Sequence, residues 1–383
     1  MGAMRRYWAD ICVRTNREEY ILMGIAVALF LPVYVAGAAL AAVLIYLAVQ
    51  RRLIPLLRSA PHGPFLAAFA ALSIVVPLCY RNWLGLLADV GFVLILLIGL
   101  YARSVMTPQA FKGVLDIGCL MSYPACAVAL VQYALWGDVP FYRTPSLFEN
   151  ANYYAMIVEF VLAFCLYRLL QPQSGRRRVF YGLTILVNLA GLYICDCRTA
   201  FGVLAVMAPV MLLLARRWRA FWCLVGAGLA FVAAVVWLAP GLIPRADAIL
   251  PDLGIRMGHW QNALRGIADH PLLGQGGMTY RLVLQRYGGF PVVHAHSVYL
   301  DPVLNYGVLG AALLVGYLSS YLTGILRLFR QGHRLEGMLA AGVVTAILVH
   351  GLLDVTIFWV QTGALAALVL GVVGRSPAVR VKS

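Results

Sequence analysis

The chain has 383 residues, 62% hydrophobic and only 12% charged, where a soluble globular chain carries about 25% charge. With a mean hydropathy of +0.85 and apolar runs along its whole length, a water-soluble fold is excluded. The net charge of +15, from 30 Lys and Arg against 15 Asp and Glu, would suit a nucleic-acid binder, but the cations are distributed as membrane topology requires.

Crossing a hydrocarbon core of about 30 Å takes about 20 apolar residues. The first run, 20–49, is too long for one ordinary span, short for two, and interrupted by Pro32. Further runs lie near 63–80, 86–103, 110–136, 151–170, 179–196, 199–215 and 219–239, then 298–326, 337–353 and 357–374. About nine spans therefore fill 1–239, a soluble stretch occupies 240–297, and three spans and a tail make up 298–383. No small-residue cleavage site follows the first run, so it reads as an uncleaved signal-anchor. The eight cysteines lie mostly inside apolar runs and read as packing residues; Cys195 and Cys197 are too close for an ordinary disulfide or zinc knuckle.

Cationic clusters at Arg5/Arg6/Arg14/Arg17, Arg51/Arg52/Arg58, Arg103/Lys112, Arg168/Arg176/Arg177/Arg178, Arg216/Arg217/Arg219, Arg327/Arg330/Arg334 and Arg375/Arg380/Lys382 hold 22 of the 30 cations. From the second cluster onward, two spans separate each from the next. An even number of crossings must then lie between the first two, which two short helices meeting near Pro32 satisfy. The expected fold is all-α, with about 12 transmembrane helices, both termini cytoplasmic, and 240–297 as one large extracytoplasmic loop. Its Trp260, Leu264, Leu272, Leu273, Tyr280 and Tyr287 are too apolar for disorder, and a helix is expected over Arg256 to Ile267.

Eight arginines break the charge rule: Arg81, Arg143, Arg198, Arg245, Arg256, Arg265, Arg281 and Arg286. Arg198 lies between two spans with almost no connecting loop, where an ionisable group faces the bundle interior or a wet cavity and has a partner. It is either a snorkelling or Asp196-paired residue, or a ligand for anionic oxygens, which guanidinium binds bidentately. Arg256 opens the expected loop helix, and Arg265 follows nine residues on, read as sharing a compatible face or pairing with Asp269 at i+4. His294 and His296 sit where the loop meets the tenth span. They are interfacial hydrogen-bonders, metal ligands or a base; no acidic cluster lies nearby in sequence to complete a metal site. The embedded acids Asp89, Asp116, Glu159, Asp301 and Asp354 are scattered over five spans. A proton-coupled transporter could use such groups, but they show neither a repeated pattern nor inverted halves.

Several segments, in order, resemble the bacterial O-antigen ligase and O-antigen polymerase-like superfamily. Asn150-Ala151-Asn152 is similar to its Asn-Pro-Asn opening of a span, with Ala151 for the proline; Arg198-Thr199-Ala200 resembles its Arg-Thr/Ser-Ala segment. Arg256, Trp260 and His270-Pro271-Leu272-Leu273-Gly274-Gln275-Gly276 resemble its loop motif. His296-Ser297, nine residues, then Gly307-Val308-Leu309-Gly310 resembles the ligase pattern.

The resemblance implies a metal-independent membrane glycosyltransferase without cofactors. Its donor would be an undecaprenyl-diphosphate-linked glycan, and its acceptor a glycolipid such as the lipid A–core of lipopolysaccharide, or a polysaccharide. The site would lie on the external face of the cytoplasmic (inner) membrane. In that reading Arg198 and Arg256 take the charge of the leaving diphosphate and His296 is the general base. His294, Arg143, Arg265, Tyr280 and Trp260 are further substrate contacts. A cell-surface polysaccharide polymerase of the same superfamily, a transporter or flippase, and a non-catalytic envelope scaffold are the alternatives.

Overall fold

The computed structural model describes residues 17–139, 142–239, 241 and 248–374. Arg5, Arg6, Arg14 and Cys12, Arg245, and Arg375, Arg380 and Lys382 with both chain ends, lie outside the described residues. The other seven cysteines are free.

Pro32 divides the first apolar run into α1 (Arg17–Ala28) and α2 (Val33–Val49), as its missing N–H requires. A short α3 (Leu53–Arg58) leads to α4 (Gly63–Cys79), α5 (Trp83–Val105), α6 (Pro108–Trp136), α7 (Ala151–Leu170), α8 (Gly175–Ile194), α9 (Arg198–Leu214) and α10 (Trp218–Leu238). After the connecting segment come α11 (Ile249–Asp269) and α12 (Tyr280–Tyr287), then α13 (Asp301–Arg330), α14 (Arg334–His350) and α15 (Val360–Leu370). Helices thus occupy every apolar run. Five of them, α5, α6, α7, α10 and α13, are long and apolar enough to cross a membrane; α2, α4, α9 and α15 are shorter apolar helices.

α7 is the central helix, with 78% of its apolar window buried. It packs against α8 and α14, while α9 lies along α14, α15 along α5, and α13 along α4. α10 is its opposite: none of its residues is buried, and Trp222, Phe231 and Trp237 face outward.

Alternating helix directions give the bundle two chemically distinct poles. The N-terminal ends of α5, α7, α9 and α13 and the C-terminal end of α14 gather beneath α11 and α12. At the other pole lie Arg103, Arg168, Arg216, Arg327 and Arg334, where Arg334 Nη1 donates to the Leu214 carbonyl at 3.0 Å. The embedded acids all have partners. Asp116 holds Arg168 at 3.1 Å and Tyr181 at 2.7 Å; Glu159 meets His350 at 2.7 Å, both fully buried.

From residue 248 on, the 240–297 stretch is built around a longer helix than expected. Its helix begins at Ile249, seven residues before the expected start, and runs 21 residues to Asp269. Ala263 packs with Tyr280, Val283, Ala295 and Leu304 in a small second core.

Candidate active site

α11 is amphipathic on two adjacent stripes, each spaced by four residues as a helix of 3.6 residues per turn requires. His259, Ala263 and Ile267 face the second core, with His259 and Ala263 buried. Asp252, Arg256 and Trp260 face the bundle. Asp252 forms an ion pair with Arg198 at the start of α9. Arg256 Nε donates to the Leu353 carbonyl at 2.9 Å, and Trp260 Nε1 to the His296 carbonyl at 3.4 Å. One stripe therefore bridges the α9 terminus, the segment after α14 and the histidine turn.

The segment after α11 is laced onto a break in α13. Gly307 has φ 63° and ψ −177°, which frees backbone groups that pair with this segment. Val308 N donates to Pro271 O at 2.8 Å, Leu309 N to Leu272 O at 3.1 Å, and Gly276 N to Asn305 O at 2.8 Å. A Cβ on Gly307 would lie 2.2 Å from the Leu272 carbonyl carbon and oxygen, and one on Gly274 2.2 Å from Asn305 O. Only glycine fits either place. Thr279 N donates to Asn305 Oδ1, whose Nδ2 donates to Asp301 Oδ2, and Ala295 N donates to Asp301 Oδ1 at 2.8 Å. Buried Asp301 so carries the order of α13 into the turn holding His294 and His296.

His296 adopts φ 51°, a left-handed conformation uncommon outside glycine. Its Nδ1 lies 3.0 Å from Asp354 Oδ1, and His294 Nε2 lies 3.8 Å from the same oxygen. Asp354 Oδ1 also accepts the Val355 N–H at 2.8 Å, and Oδ2 accepts from Asn152 Nδ2. Burial alone would raise the Asp354 carboxyl, but the His296 hydrogen bond and the charges of His294, His296 and His350 hold it well below the usual carboxylate range. Facing an ionised Asp354, His296 Nδ1 is the donor, and in the neutral ring Nε2 then carries the lone pair. Burial lowers His294 to about 4, with Asp354 opposing and the other histidines adding. Burial also lowers His259 to about 4, aided by His296 and Arg256. His259 stacks on His296 with centroids 5.2 Å apart.

Arg143 Nη2 donates to Asn152 Oδ1 at 2.7 Å, so it reaches Asp354 through one side chain. Asn150 caps α7 by accepting the Asn152 N–H at 2.8 Å. The first asparagine of that motif starts the helix and the second enters the site. Burial lowers Arg256, with Asp354 and Asp252 opposing.

Arg198, Arg256, Arg143, His294, His296 and Trp260 thus converge on one pole. Arg265 does not join them: nine residues at about 100° each place it on the opposite face from Arg256. It is exposed over Tyr287, donating to Asn262 Oδ1 at 3.3 Å, while Asp269 pairs with Arg286 at 3.1 Å. Tyr280 is fully buried, its hydroxyl 3.0 Å from His259 Nδ1, and belongs to the second core. Arg198 pairs with Asp252, 54 residues away.

Sequence alone does not single out Asp354, 58 residues from His296. Nor does it single out Tyr153 and Trp359, whose rings stack at 4.9 Å and 14°. These two rings, with His294, Asp89 and Asn305, line an open cleft. One ligand atom each of His294, His296 and Asp354 lies within 4.8 Å of the other two, a grouping that could hold a metal ion. They supply three donors, the number of protein ligands in a catalytic zinc site and one fewer than a closed structural site takes. The carboxylate is already satisfied by His296, Val355 and Asn152. No curated protein matches the chain. Residues 183–315, which contain Arg198, Arg256 and both histidines, match the family model described as O-antigen ligase.

Proposed function

We propose that this chain, a member of the O-antigen ligase-like superfamily by that match, moves a glycan from an undecaprenyl-diphosphate carrier to an acceptor sugar hydroxyl at the external face of the cytoplasmic membrane. The observation that carries the reading is His296, oriented by buried Asp354 at 3.0 Å within a group of arginines. Metal-independent transfer needs a base for the acceptor hydroxyl and positive charge for the departing diphosphate, and both are present there.

In the proposed step the acceptor O–H gives its proton to His296 Nε2 while its oxygen bonds to the anomeric carbon. The bond from that carbon to the diphosphate oxygen breaks, and its electron pair leaves with the diphosphate. Arg198 and Arg256 stabilise that growing charge, with Arg143 behind them. Attack opposite the leaving group inverts the anomeric centre. His294 stays neutral and accepts or donates a hydrogen bond to the sugar. Tyr153 and Trp359 offer flat apolar faces to the glycan, and apolar grooves between helices take the polyprenyl tail.

The test is transfer by the purified full chain from a defined undecaprenyl-diphosphate glycan, with candidate glycolipid acceptors supplied separately. His296→Ala should lower the rate by about 10²–10⁴-fold, and Arg256→Ala and Arg198→Ala should lower it as well. Folded variants working at the wild-type rate would overturn the assignment. A product carrying one glycan transferred whole identifies a ligase. A ladder of carrier-linked repeats identifies a polymerase, which uses the same step with a different acceptor.

A further inference from the structure

The pole opposite the histidines has a cavity of its own. It is open to the surface and is lined by Leu56 of α3 and Ser59 just after it, Arg103 and Ser104 at the end of α5, and Arg327 near the end of α13. From Gly85, which touches the Gly277 loop, α5 rises about 27 Å to Arg103 at 1.5 Å per residue. The cavity therefore stands apart from the candidate active site, whatever reaction occurs there.

Its chemistry is one-sided. Arg103 is 8% exposed, so its charge is largely removed from water. It donates through Nη1 to Ser320 Oγ at 2.8 Å and through Nη2 to the Ser320 carbonyl at 3.2 Å, and its guanidinium lies over the Tyr321 ring at 5.0 Å. All these partners are neutral. No carboxylate of the described residues lines the cavity, while a second guanidinium, Arg327, does. A buried charge is expensive unless paired, and two cations on one cavity repel. By contrast, Arg168, also buried near the same pole, has Asp116.

We infer that this cavity binds a phosphate anion between Arg103 and Arg327. Guanidinium groups suit phosphate oxygens. The apolar walls, Leu56, Leu100 and Val373, suit the glycerol and upper acyl region of an anionic phospholipid, the ligand that basic pockets between transmembrane helices take at the cytoplasmic side. A soluble phosphate would use the same donors without the apolar walls.

Native mass spectrometry of the detergent-purified full chain, titrated with phosphatidylglycerol, phosphatidylcholine or inorganic phosphate, separates these sources. Because Arg103 is buried, the variant is Arg327→Ala at an exposed position, with exposed Arg178→Ala as the control for general surface charge. Phosphatidylglycerol should bind Arg327→Ala about fivefold more weakly than wild type, the share of one cation near an anionic lipid, and Arg178→Ala unchanged. The same drop with inorganic phosphate but not with phosphatidylglycerol would keep the phosphate site and assign a soluble ligand. Equal binding of both anions by wild type and Arg327→Ala, or phosphatidylcholine binding as tightly as phosphatidylglycerol, would overturn the inference.

Discussion

Asp354 is the residue on which the histidine turn depends. It receives His296, Asn152 and the Val355 N–H at once, so it fixes both the ring and the tautomer of His296. Asp354→Asn keeps the shape but offers an amide that can donate to Nδ1 and reverse the tautomer. Transfer should fall by about 10²–10⁴-fold, with the fold retained by circular dichroism. A second consequence concerns pH. His259 and His294 are held to about 4 by burial, whereas in the unfolded chain histidine titrates near 6.5. Between these values the unfolded chain binds more protons, so stability is full above about 6.5 and declines as pH falls towards 4. Thermal unfolding midpoints across that window should drop on acidification, and His294→Gln should flatten the slope.

At the scale of elements, the break in α13 joins two stretches that look unrelated in sequence. The glycines at 274 and 307 are needed because the two backbones touch there. Gly307→Ala would combine a left-handed strain of about 1–3 kcal/mol with a Cβ overlapping the Leu272 backbone. A lowered unfolding midpoint and lost protection of residues 270–279 in hydrogen exchange are expected. The stripe of α11 makes a separate prediction. Asp252 pairs with Arg198, one of the groups assigned to the diphosphate. Asp252→Asn removes that competing carboxylate and should lower the KM for the lipid-linked donor by several-fold, read from initial rates at varied donor concentration. Motif order and the helices of the long apolar runs are legible in the sequence, because apolar run length and Pro32 act locally, whereas the short α3 and α12 lie outside those runs. The position of Arg265 was misjudged because nine residues is half a turn out of phase. Asp354, Tyr153 and Trp359 could not be chosen because their partners lie across the bundle.

Across the whole molecule, the two poles carry different chemistry: histidines, arginines and aromatic rings under α11 at one, clustered arginines at the other. If the histidine pole faces outward, as the charge distribution expects, transfer in oriented vesicles will use a membrane-impermeant acceptor supplied to that side only. Equal use from both sides would contradict a one-sided site. The expectation of about 12 crossings is a statement about lipid, which helix length and composition support fully for five helices. Arg143, Arg198 and Arg256, all outside the cationic clusters, gather at one pole, where each has a named polar partner. Finally, Asn152, Arg198, Arg256, His296 and Asp354 enter the site in chain order, with the carboxylate last. A ribosome that has delivered everything through α14 has still made a protein whose His296 lacks its anchor. On the proposed reading, competence therefore arrives late in synthesis, and an interrupted translation product would lack the group that orients its base.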